Sequence, residues 1–115
     1  MLTVYHNTAC SKSQGVCNLL HTKGIQPKII EYLKTPPDNA ELQHLLHLLK
    51  MQPSELIRSK EPLFAELFGD KTPSEEACIE AMLQYPILIE RPIIVKDGKA
   101  IIGRPPEKVL EFLGE

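Results

Sequence analysis

The chain has 115 residues, 43% of them hydrophobic and 24% charged, and a formal net charge of −2. That composition is globular and suits one domain spanning residues 1–115; it excludes a fibrous or disordered chain. The near-neutral balance leaves no basic footprint for nucleic acid or a membrane surface, so an anion site must come from a local gathering of basic groups. No apolar run approaches the roughly eighteen residues of a membrane span. The opening Met1-Leu2-Thr3-Val4-Tyr5-His6 lacks the charged-then-apolar order of a signal peptide. Three irregularly spaced cysteines argue against a disulfide framework, and reduced thiols point to the cytoplasm.

Taken in order, Leu2–Tyr5 reads as a short strand, and His6 to Ser11 as a loop of small polar residues. Val16, Leu19 and Leu20 keep helical spacing over Lys12–Lys23, and Gly24 stops that helix. Lys28–Leu33 is a second strand, followed by a Thr35-Pro36-Pro37 turn. Asp38 then caps a helix whose Leu42, Leu45, Leu46 and Leu49 recur at i, i+3, i+4 and i+7. Short helical pieces follow at Glu55–Arg58 and Pro62–Leu67. Thr72, Pro73 and Glu75 together spell a capping box for a helix with Cys78, Ala81, Met82 and Tyr85 on its apolar side. Pro92–Lys96 and Lys99–Gly103 form a hairpin around Asp97-Gly98. Pro105-Pro106 opens a last helix, with Val109, Leu110 and Leu113 inward.

Two strands joined by a helix suggest a right-handed βαβ unit. With the hairpin and closing helix, the simplest product is an α/β, thioredoxin-like fold. It has a four-stranded mixed sheet flanked by helices on both faces, with a helical insert before the third strand. Periodicity alone leaves several α/β folds open.

Chemistry concentrates at Cys10, in the loop before a helix N-terminus. Unpaired amides there carry about half a positive charge and favour a thiolate. They also suit a tetrahedral oxyanion. Ser11 and Ser13 can cap the helix or hydrogen-bond to the sulfur, and Lys12 and His6 add positive charge nearby. Cys17 and Cys78 fall on apolar helix faces and read as small core residues. Cys17 stands seven helical residues from Cys10, about 10 Å of rise, too far for a disulfide without unwinding. Ser13 occupies the second position of a would-be C-x-x-C, so any turnover needs an external thiol. Arg58, Arg91 and Arg104 are candidate anion clamps, because a guanidinium binds two oxygens at once; each alone is more often a surface residue. His44 and His47, three apart on a helix, and His21 belong to no ligand cluster, so no metal site is expected. Nor is there a glycine-rich phosphate loop or dinucleotide fingerprint.

The segments YHNTACSKS, IIEYLKTPP, LIRSKEPLF, YPILIERPIIV and IGRPPEKVL resemble, in the same order, the glutaredoxin-coupled arsenate reductase (ArsC-like) family. That resemblance implies a thioredoxin fold and a cis peptide before Pro92. It implies that Cys10 attacks arsenate or a similar oxyanion and that His6 assists the thiolate. Arg58, Arg91 and Arg104 would hold the oxyanion. It further implies that no cofactor is bound, that glutathione acts as co-substrate and that glutaredoxin is the protein partner. Gln14 departs from an arginine frequent in the family four residues after the nucleophile. Related Spx-type regulators bind RNA polymerase, but their redox switch uses C-x-x-C where this chain has CSKS. A third alternative is an ArsC-like thiol oxidoreductase with another substrate. The tyrosine-phosphatase-like arsenate reductases need C-x5-R and fail at Val16.

Overall fold

A computed structural model of the chain describes residues 2–7, 9–104 and 107–113, with Lys12 described by its backbone alone. Two compact units emerge: Met1–Thr35 with Arg91–Glu115, and Pro36–Glu90. The second unit is the helical insert.

The first unit holds the whole sheet. Strand β1 (Thr3–His6) is followed by helix α1 (Ser11–Thr22) and strand β2 (Lys28–Glu31); after the insert come β3 (Ile93–Lys96) and β4 (Lys99–Ile102). The spatial order is β2-β1-β3-β4. β1 and β2 run parallel, as a βαβ crossover requires, and the other two pairings are antiparallel. The hairpin turns where expected, with Asp97 and Gly98 both at positive φ (50° and 75°), as a primed two-residue turn demands. Strand alternation places Leu2, Val4 and His6 on one face. Leu2 and Val4 cluster there with Ile94, with Val16 and Leu20 of α1, and with Val109 of the last helix (α6, Lys108–Phe112). Both helices therefore cover this face. Tyr5 and Ile93 point to the opposite face and are also buried.

The second unit contains helices at Asn39–Leu49 (α2), Pro53–Leu56 (α3), Pro62–Phe68 (α4) and Glu75–Gln84 (α5), with a 3-10 turn at Pro86–Leu88. Asp38 caps α2 by accepting the Glu41 N–H at 2.8 Å, and Leu42, Leu45 and Leu46 are buried. The middle of the unit is stitched to its C-terminal end by an Ile57–Ile89 bridge and by bonds from Arg58 N to Leu88 O and from Glu90 N to Leu56 O.

Several boundaries differ from the sequence reading. His6 belongs to β1 rather than to the loop. β2 ends at Glu31 because the Lys34 and Thr35 amides both turn back onto the Glu31 carbonyl. α3 starts at Pro53, with the Gln52 amide held by Glu55. α5 starts after Ser74, not Thr72: the Ser74 hydroxyl accepts the Ala77 N–H, and Glu75 accepts the Ser54 N–H instead of reaching back to Thr72. The Pro105-Pro106 opening of the last helix lies outside the described residues.

Candidate active site

The loop from β1 to α1 is built around Asn7. Its side-chain oxygen accepts the Ala9 N–H at 3.0 Å, its carbonyl accepts the Cys10 N–H at 3.0 Å, and its own N–H donates to the Ser13 hydroxyl at 3.3 Å. These three bonds fix how the chain leaves the sheet and enters the helix. Ser13 is fully buried, so it braces this loop from inside instead of facing a bound anion. Ser11 is exposed at the first helical position. The Lys12 side chain lies outside the described residues.

Cys10 is the N-cap residue of α1, with extended backbone and no side-chain cap bond of its own. Its residue is 8% exposed, less open than a polar loop suggests. The decisive contact comes from far along the chain: Arg91 Nε donates to Cys10 Sγ at 3.2 Å. A guanidinium and the positive end of a helix thus meet at one sulfur, and both favour the thiolate. The Arg91–Pro92 peptide is cis, and Arg91 leads directly into β3.

The other two arginines are placed differently. The Gly103 N–H donates to the Pro92 carbonyl at 2.9 Å, so the backbone of Arg104 follows the strand that lies beside Arg91–Pro92. Gly103 itself is dictated by packing: a Cβ there would stand 2.5 Å from Ile94 Cδ1, 3.1 Å from Val16 and 3.2 Å from Pro92. Arg58 belongs to the 36–90 unit. One of its terminal nitrogens donates to the Ile87 carbonyl at 3.0 Å, and the other pairs with Glu61 at 3.1 Å. It therefore has an anchoring role within that unit.

His6 sits at the end of β1, 8% exposed. Its Nδ1 lies 3.7 Å from the sulfur of Cys17 on the facing turn of α1. Burial lowers its pKa from the ordinary histidine range, with Glu31 on the neighbouring strand pulling the other way. It is thus a neutral imidazole near neutral pH, not the added positive charge expected from its sequence position. Burial pushes the Cys17 thiol up; at Cys78 burial and then Glu75 do the same. Both stay protonated where Cys10 has its two sources of positive charge. The Cys17–His6 contact was missed in the sequence, although alternation in β1 places His6 on the face that α1 covers.

Residues 5–112 match the ArsC family. The chain is 52% identical over 113 residues to the uncharacterized protein YfgD of Escherichia coli (strain K12), covering 96% of this chain and 95% of that protein. It is 41% identical over 113 residues to an arsenate reductase of Rhizobium meliloti (strain 1021), covering 97% and 81%. Among solved structures, the arsenate reductase from Vibrio cholerae superposes with a TM-score of 0.89 at 46% identity, covering 96% of this chain and 95% of that one.

Proposed function

Because the chain belongs to the ArsC family, we propose that it is an arsenate reductase with Cys10 as nucleophile and glutathione and glutaredoxin as its source of electrons. The observation that carries this reading is the Arg91 guanidinium on the Cys10 sulfur at the N-terminus of α1. Of the chain's three cysteines, Cys10 is the one given a positively charged partner among the described contacts, and the thiolate is the attacking species in thiol chemistry. The same groups suit the product of attack. As the thiolate becomes neutral on bonding to arsenic, negative charge moves to the arsenate oxygens, and Arg91 and the helix amides remain beside it. In this reading Arg104 and the exposed Ser11 are the next groups assigned to those oxygens, with Lys12 a further cation on the helix.

Electron balance requires a second thiol. Arsenate and two thiols yield arsenite, one disulfide and water; Cys10 supplies one thiol, and Ser13 stands where a second cysteine would be. Glutathione supplies the other, and glutaredoxin returns Cys10 to the reduced state. A glutathione-reducing cytoplasm is the compartment for such a cycle. The Spx-type alternative gains nothing from the geometry, since no thiol replaces Ser13.

The test is an NADPH-coupled assay with arsenate, glutathione, glutaredoxin and glutathione reductase. NADPH loss that requires arsenate, glutaredoxin and Cys10 together is the expected result. NADPH loss unchanged in Cys10→Ser, or none with the wild-type protein, rejects the reading.

A further inference from the structure

We propose that Cys17 is a positioning residue: its thiol donates to Nδ1 of His6 and holds that imidazole in the tautomer with its proton on Nε2. The inference rests on the reading above together with the assistance to Cys10 that the family resemblance implies for His6, and it changes the form of that assistance. With Nδ1 filled, His6 acts as a neutral N–H donor through Nε2, not as a base or a cation.

The geometry comes from two periodicities. Alternation along β1 puts His6 on the same face as Leu2 and Val4, and α1 lays Val16, Cys17 and Leu20 over that face. His6 Nδ1 and Cys17 Sγ end 3.7 Å apart, within the reach of a sulfur hydrogen bond. His6 is nearly buried, which leaves Nδ1 little access to water. A buried ring nitrogen without a partner is costly, and the tautomer of a histidine is set by whichever partner one nitrogen finds. The protonation states agree, since burial disfavours both the imidazolium and the Cys17 thiolate. Two neutral groups in contact can share a proton in either direction, and in the proposed form the thiol supplies it. Among the described residues, the charged group acting on the ring is Glu31, opposite His6 in β2 and paired with Lys34 at 3.5 Å; Arg91, at the head of β3, is held on Cys10. A thiol in a helix has one competing acceptor, the carbonyl one turn back, here that of Ser13. If the thiol chose it, the Nδ1–H of His6 would face the sulfur and the tautomer would be reversed.

Nitrogen-15 NMR of the imidazole ring distinguishes the two, independently of arsenate turnover. Near neutral pH the wild-type spectrum is expected to carry the His6 proton on Nε2. Cys17→Ala should convert this to a tautomer mixture and raise the titration midpoint of His6, because the bond to the neutral ring is gone. Cys17→Ser, which keeps a donor, should restore the Nε2–H form. A purely packing role does not predict rescue by serine over alanine. An Nδ1–H signal in the wild-type protein overturns the proposal even if neither variant folds, and so do variants whose His6 spectra match wild type. Absence of arsenate turnover alongside the expected spectra would instead reject the assigned reaction and leave the pairing intact.

Discussion

Replacing Arg91 by glutamine removes the charge from the Cys10 sulfur while keeping a polar side chain. Unit charges 3.2 Å apart attract by about 1.3 kcal/mol under full water screening and about 5 kcal/mol at an effective dielectric of 20. Arg91 is half-buried, so the value lies between these limits. Hydrogen bonds to charged groups fall inside the same bracket, at about 1.5–3 kcal/mol net. At about 1.4 kcal/mol per factor of ten, the thiolate population drops roughly 10- to 100-fold wherever the variant thiol is mostly protonated. A more basic thiolate is also a better nucleophile, with a sensitivity of about 0.4–0.5, which returns nearly half of that loss on a logarithmic scale. Alkylation of Cys10 by iodoacetamide near neutral pH, followed by mass spectrometry of the Cys10 peptide, should therefore slow roughly 3- to 10-fold. Arg91→Lys should lose less, because a charge remains. An Arg91→Gln protein that alkylates at the wild-type rate would show that the guanidinium does not stabilise the thiolate, and the reasoning would fail.

Gly103→Ala should destabilise the protein by about 1–3 kcal/mol, the usual cost of overpacking, since Ile94 is fully buried and has little room to yield; an unchanged urea midpoint would contradict the close approach. Ser74→Ala should cost about 0.5–2 kcal/mol as a lost helix cap, while Thr72→Ala should be nearly neutral in the same titration, and the reverse order would return the cap to Thr72. His6, whose folded pKa is lowered by burial, binds fewer protons folded than unfolded. Its stabilising contribution is full above the unfolded histidine pKa and is lost as pH falls through the folded one. The urea midpoint should accordingly drop between about pH 7.5 and 5, and less steeply in His6→Gln; equal slopes would remove His6 as the cause.

Local chemistry was legible in the sequence wherever a few neighbouring residues decide the outcome. Asp38 before a leucine stripe, Asp97-Gly98 between alternating strands and Gly24 after α1 each specify a turn or a cap without help from distant residues. The α5 start was misread because two overlapping cap signals compete. Thr72 matches the sequence pattern, but the Ser54 amide claims the Glu75 carboxylate that the pattern needed. Distance along the chain hid the rest. Arg91 and Cys10 are 81 residues apart, and no spacing rule connects them until β1 and β3 pair. Gly103 looks like the end of a strand, and only the closeness of Ile94, Val16 and Pro92 explains why it has no side chain. Ser13 resembles a ligand for an anion as long as its burial is unknown. Cys17 was placed on an apolar face, yet its polar partner comes from the strand beneath.

The central claim is that Cys10 and Arg91 form one reaction centre for an oxyanion, and a crystal of the reduced protein soaked in arsenate tests it most directly. The expected density places arsenic at bonding distance from the Cys10 sulfur, with the Arg91 guanidinium on its oxygens. Arsenate seated elsewhere, with Cys10 unmodified and Arg91 turned from it, would contradict the account.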